Sequence, residues 1–225
     1  EEEFDLDEDK FNEEMENQRE LARNARKSDS GWSLDNIITD GIHPTEFVGY
    51  ELLRTDATIT NIFDESENIT SLNKGDKGIV VSDKTSFYAQ GGGQVADTGF
   101  IYNNEGKAKV TDVQKKNDVY FHSVEILEGY INENKSYTFE VDQERRYDIT
   151  RNHSATHLLD QALRDVLGDE ITQAGSLVDP NKLRFDFTYN EALTSEQKRK
   201  IEDIVNKKIR EQLPVKKEIV SYKQS

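Results

Sequence analysis

His153 and His157 stand four residues apart in Arg151-Asn152-His153-Ser154-Ala155-Thr156-His157-Leu158-Leu159, and they are two of only four histidines in the chain. On a helix, residues four apart stack on one face, so both imidazoles can reach one ion. The fitting chemistry is that of zinc, which takes four ligands, or three protein ligands and a water, drawn from Cys, His and carboxylate. Two histidines make half such a site. An ordinary solvated polar face is the competing reading.

The surrounding residues must supply the helix. Apolar side chains recur at Ala155, Leu158, Leu159, Ala162 and Val166, and Gly168 marks the expected stop. At roughly 100° per residue the apolar stripe centres on Ala155, Leu159, Ala162 and Val166, with His153, His157, Asp160 and Arg164 clustered about opposite. This predicts histidines that face away from the core. Thr156 lies at one side of the histidine face, where its hydroxyl either senses a substrate or bonds back to a helix carbonyl.

A second feature is the glycine cluster Gly91-Gly92-Gly93-Gln94-Val95-Ala96, which formally fits the dinucleotide fingerprint. The context excludes that use, because Asp97-Thr98-Gly99-Phe100-Ile101-Tyr102 reads as turn and strand where the fingerprint needs a helix. Three glycines serve equally well for a sharp bend or for the close approach of another chain.

Four separated blocks resemble the editing region of alanyl-tRNA synthetases, in the same order. They are Phe87-Tyr88-Ala89-Gln90-Gly91-Gly92-Gly93-Gln94-Val95-Ala96-Asp97-Thr98-Gly99, Asn152-His153-Ser154-Ala155-Thr156-His157-Leu158-Leu159, Gln173-Ala174-Gly175-Ser176-Leu177-Val178 and Leu183-Arg184-Phe185-Asp186-Phe187. The resemblance implies hydrolysis of the ester joining noncognate serine or glycine to a tRNA specific for alanine. It implies His153 and His157 as zinc ligands and a glycine loop, Gly91, Gly92 and Gly93, bordering the pocket. It also implies Thr156 and Gln173 as residues of the catalytic pocket, although a solvent-facing strand glutamine would look the same as Gln173. In that family a downstream Cys-x-x-x-His pair completes the metal site, whereas this chain has no cysteine. The parent enzyme, which attaches alanine to tRNA, would use ATP and magnesium, and no aminoacylation motif is present here. A freestanding deacylase of the same superfamily and a non-catalytic tRNA-binding module are the alternative readings.

Along the chain, the resemblance and the patterning together predict an α+β protein: residues 1–28 as a terminal helix of a preceding tRNA-binding region, 29–142 as a β-barrel subdomain, and 143–225 as an α/β editing subdomain packed against it and incomplete at its C-terminus. Asp9 to Lys27 reads as a helix with acids at its start and bases at its end, which suits the helix dipole. Strands are expected near Tyr50 to Asp64, Lys77 to Ser82, Gly99 to Tyr102, Lys107 to Gln114, Val119 to Val124 and Ser136 to Val141, a pattern that fits a small barrel or a sandwich, the resemblance implying the barrel. Beyond the histidine helix, Ile171 to Val178 and Lys182 to Thr188 form an expected hairpin turning at Asp179-Pro180-Asn181. Thr194-Ser195-Glu196-Gln197 reads as a capping box opening a helix that runs to Pro214, with a last strand over Val215 to Tyr222.

Composition bounds the rest. Of the net charge of −16, residues 1–20 hold eleven acids and two bases, a net of −9 that leaves −7 for the other 205 residues. Such a balance disfavours a general polyanion binder. Basic groups recur late, at Lys198-Arg199-Lys200, Lys207-Lys208 and Lys216-Lys217, where they either flank an RNA or belong to a solvated helix face. No apolar run approaches the ~20 residues of a membrane span. Without a basic and apolar leader at the start, the chain reads as cytoplasmic. Oligomeric state is not encoded in any pattern found.

Overall fold

The computed structural model describes Lys10, Phe11, Glu14, Met15, Asn17, residues 41–64 and residues 67–214. The five early residues are helical and exposed, within the helix expected from Asp9 to Lys27. The rest of that helix and the expected strand over Val215 to Tyr222 lie outside the described residues. The chain forms two compact units, residues 1–89 with 96–141, and residues 90–95 with 142–225.

The first unit is a closed barrel of six strands. Its members are β2 (Arg54–Asp64), β5 (Lys77–Ser82), β9 (Val119–Asn132), β8 (Gly106–Lys116), β7 (Gly99–Tyr102) and β10 (Ser136–Val141). Neighbours pair antiparallel in that order, and β10 returns to β2 through pairs such as Ser136↔Thr58 and Phe139↔Thr55. Closure leaves the sheet without a free edge along this path, which removes the row of unpaired backbone groups an open sheet presents.

Short accessory strands flank the barrel: β1 (Glu46–Phe47) with β6 (Lys84–Thr85), β3 (Glu67–Ile69) on β2, and β4 (Ser71–Asn73) on β9. β10 alternates as the period-2 rule requires, with Tyr137, Phe139 and Val141 buried. β5 and the start of β9 do not alternate, because both faces are covered. Val80, Tyr120 and Val124 join the main core, while Ile79, Val81, Val119 and Phe121 form a second cluster with Phe63.

Several strand ends differ from expectation. β2 begins at Arg54 rather than Tyr50, since Glu51 and Leu52 donate their backbone N–H groups back to the Val48 carbonyl in a turn. The β8–β9 hairpin is longer than expected and turns at Asn117 and Asp118, both with positive φ (52° and 61°). That backbone is the type I′ geometry, which asparagine and aspartate tolerate best after glycine.

The second unit contains α1 (Gln143–Leu167), the antiparallel pair β11 (Gln173–Val178) and β12 (Leu183–Phe187), and α2 (Ser195–Glu211). Asp142 caps α1 by accepting from the Arg145 N–H at 3.0 Å, and the helix stops at Gly168 with φ 108°. The hairpin turn is held by the Asp179 carboxylate, which accepts from the backbone N–H groups of Asn181 (2.7 Å) and Lys182 (2.9 Å). α2 opens on the expected capping box, with Thr194 and Gln197 bonded reciprocally at 3.2 and 2.9 Å. Ala162, Leu163, Ile171 and Ile201 form the buried centre of this unit, flanked by Leu159, Val166, Phe185, Phe187 and Val205. Among the described residues no helix is long and apolar enough to cross a membrane.

The buried arc of α1 differs from the expected stripe. Ile149, Thr156, Ala162 and Leu163 are its buried residues, while Ala155, Leu159 and Val166 are half-buried. At about 100° per residue the buried arc is turned toward Thr156, so the histidine face borders the core rather than standing opposite it. Burial of a threonine makes the difference: the hydroxyl is satisfied within the helix, so its polarity does not keep it at the surface.

Candidate functional site

The residues singled out for chemistry fall on three supports within the second unit: the middle of α1, the loop Gly91–Gln94, and β11, which carries Gln173. On α1, His153 and His157 are half-buried and exposed respectively, with ring centroids 5.0 Å apart and Nε2 atoms 3.2 Å apart. Two nitrogens on one tetrahedral zinc, each at about 2.0–2.1 Å, are roughly 3.3–3.4 Å apart. The pair therefore fits two corners of such a site. Burial, and after it the neighbouring His157, lowers the pKa of His153 below the usual histidine value, which favours the neutral ring a metal requires. Among the described residues no group of three or more His, Cys, Asp or Glu is placed to share an ion. Asp160, on the same face, pairs with Arg164 at 3.3 Å.

Thr156 is buried, and its hydroxyl donates to the Asn152 carbonyl at 2.8 Å. Of the two readings open in the sequence, the back-bond is the one observed. It leaves the oxygen's lone pairs as the only part of this group able to meet another molecule. Asn152 in turn donates its side-chain N–H to the Asp179 carbonyl at 2.8 Å, tying α1 to the hairpin turn.

The glycine loop lies against the end of β11. Val95 N–H donates to the Val178 carbonyl at 3.1 Å, and Val178 N–H to the Gly93 carbonyl at 2.8 Å. Gly93 meets both demands that three glycines suggested. Its φ is +84°, and an added Cβ would lie 2.3 Å from Ser176 Oγ and 2.6 Å from the Ser176 carbonyl oxygen. Gly92 also has positive φ (+58°) but open space where a Cβ would go. The loop thus places the next residue, Gln94, beneath α1, where its Oε1 is 2.7 Å from His153 Nδ1.

Gln94 was not singled out in the sequence, although it directly follows the three glycines in the first of the resembling blocks. Gln173 is exposed at the opposite end of β11. A strand advances about 3.3 Å per residue, so Gln173 is on the order of 17 Å along β11 from Val178, where the loop docks. The structure brings together His153, His157 and Gln94, with Gly93 next to Gln94 and Thr156 three residues along α1 from His153, while Gln173 stands exposed at the start of β11. An apolar groove of about 470 Å³, lined by Leu159, Leu163, Leu183, Phe187, Leu193 and Ile201 among others, belongs to the core side of α1 and not to the histidines.

The model of the family tRNA synthetases class II (A) matches residues 1–145. An alanine–tRNA ligase of Fusobacterium nucleatum is 46% identical over 208 residues, covering 91% of this chain and 23% of that protein. One from Coxiella burnetii is 42% identical over 213 residues (95% of this chain, 24% of that protein). One from Ligilactobacillus salivarius is 44% identical over 226 residues (99% and 26%). The chain spans about a quarter of the length of these relatives. It therefore belongs to the tRNA synthetases class II (A), similar over nearly all of its length to a stretch of the alanine–tRNA ligases.

Proposed function

We propose that this stretch is the editing part of an alanine–tRNA ligase, clearing serine or glycine from tRNA of alanine identity by hydrolysis of the aminoacyl ester. The observation that carries the reading is the 3.2 Å approach of the two histidine Nε2 atoms on a helix face bordered by the glycine loop. His153 and His157 would hold two positions of a zinc ion. When bound, such an ion supplies Lewis acidity or orientation for the ester or the attacking water.

The chain's own residues do the rest. Gly93, pressed on Ser176, shapes the rim beside α1, and Gly92 contributes backbone there without a side chain to obstruct an approaching substrate. Thr156 offers an acceptor only, its proton being held by Asn152, which suits it to a substrate amino or hydroxyl hydrogen. Gln173, exposed at the start of β11, is the further pocket residue of this reading. The longer ligase would attach alanine with ATP and magnesium, functions assigned to no residue here.

The test is carried out in a longer ligase that contains this stretch. Replacing both His153 and His157 with Ala should abolish deacylation of seryl- and glycyl-tRNA while folding is retained, since exposed or half-buried polar groups are being removed. Full deacylation by a folded double variant would sink the assignment. If the unaltered ligase binds the tRNA yet cleaves no noncognate ester, a tRNA-binding module is the better reading.

A further inference from the structure

We infer that Gln94 is a positioning residue for the histidine pair: its side-chain oxygen fixes the orientation and tautomer of His153, leaving the lone pair of His153 Nε2 turned toward His157. The use of that lone pair rests on the metal half-site proposed above, but the hydrogen-bond order is a matter of geometry alone.

Gln94 is unusually constrained for a glutamine on a loop. Only 8% of it is exposed. Its backbone is closed on Gly91 by reciprocal bonds, Gly91 N–H to the Gln94 carbonyl at 3.1 Å and Gln94 N–H to the Gly91 carbonyl at 2.9 Å. On either side of it, Gly93 and Val95 bond to Val178 of β11. A buried amide needs partners for its polar atoms, and Oε1 finds one in His153 Nδ1 at 2.7 Å.

The chemistry of the acceptor then orders the hydrogens. An amide oxygen only accepts, so the hydrogen of this bond is on His153 Nδ1. A neutral imidazole carries one N–H, so His153 Nε2 is bare. Across the 3.2 Å gap His157 Nε2 must therefore be the donor. Donation runs from His157 to His153 to Gln94, and one hydrogen occupies the space between the two rings. For the pair to hold an ion, only that hydrogen would have to leave, and exposed His157 can relocate it to its own Nδ1. His153 needs no change. Without the Gln94 oxygen, His153 is free to turn its ring or to carry its hydrogen on Nε2, and either change closes the shared face.

The experiment uses the 225-residue chain with Gln94→Leu, which removes the acceptor at similar size, and Gln94→Glu, which keeps one. Long-range ¹⁵N–¹H correlation spectra of the metal-free protein at about pH 8, where histidine is neutral, should show His153 as the Nδ1–H tautomer in the unaltered chain. Q94L should shift it toward Nε2–H and Q94E should restore it, with the Val95 and Val178 amide signals reporting that the loop stays docked. Titration with Co²⁺ should show binding weakened about 10- to 100-fold in Q94L and recovered in Q94E, as expected for the outer partner of a ligating histidine. An Nε2–H tautomer in the unaltered chain, or an Nδ1–H tautomer retained in Q94L, overturns the inference. If the tautomers behave as stated but Co²⁺ perturbs neither histidine even in a longer ligase that contains this stretch, Gln94 keeps its positioning role and the metal half-site is the reading that fails.

Discussion

At the scale of single residues, the two glycines of the loop separate a backbone requirement from a packing one. Gly92→Ala places a methyl in open space at positive φ and should cost about 1–2 kcal/mol, the penalty for a left-handed L residue. Gly93→Ala carries the same penalty and also forces a Cβ into Ser176, so it should be clearly the more destabilising of the two in urea unfolding. Equal effects would mean that the loop is not seated on β11. Thr156→Val keeps shape and removes a hydroxyl whose proton is already used within the helix, so stability should change by less than about 1 kcal/mol. The spacing of His153 and His157 and the need for glycine were legible in the sequence, because each is a local property of helix or loop. Gln94 was not. Its partner lies 59 residues away, and nothing in a Gly-Gly-Gly-Gln run says which side chain will be buried.

At the scale of elements, local signals were the readable ones. Gly168 ended α1 and the Thr194–Gln197 box opened α2 as expected, since capping needs only neighbours in sequence. Thr194→Ala should therefore cost about 0.5–2 kcal/mol, measured by thermal unfolding of the α/β unit. The barrel's strands were legible as alternating runs, whereas its closure was expected only from the resemblance, since Ser136 and Thr58 meet only through the completed sheet. The double-sided burial of β5 and β9 was not legible, because their buried runs take in polar residues such as Ser82, His122 and Ser123. That burial encloses His122, which is fully buried, donates from Nδ1 to the Val80 carbonyl at 2.9 Å and accepts at Nε2 from the Thr85 hydroxyl at 2.8 Å. Burial pushes its pKa down to about 4, against 6.5 in the unfolded chain, partly offset by the bond to Val80. The unfolded state binds the extra proton between these values, so this contribution to stability is complete above about pH 6.5 and is lost as pH falls through about 4. The full loss is on the order of 3 kcal/mol. Comparing urea midpoints of the unaltered chain and His122→Gln across that range should show a shallower acid slope in the variant; identical slopes would remove His122 as the cause.

At the scale of the whole molecule, two histidines without further ligands among the described residues predict poor metal retention. The 225-residue chain should lose zinc to a chelator, and stoichiometric zinc surviving chelation within a single chain would mean that ligands beyond His153 and His157 hold it. Charge gives a second expectation. Removing residues 1–20 takes away −9 of the −16, so the shortened chain should bind tRNA more tightly than the full one at low salt, with the difference fading as salt rises. The two compact units are not two consecutive lengths of chain. Residues 90–95 belong with the helices and hairpin, while the residues on both sides of them belong with the barrel. During synthesis the ribosome must therefore make Val178 before the segment at Gly93, finished 85 residues earlier, can dock, and that long closure makes this docking a late folding event. A fragment begun at Asp142 would emerge with β11 lacking its borrowed neighbour, and a synthetic peptide spanning residues 88–97 should be able to restore it in trans.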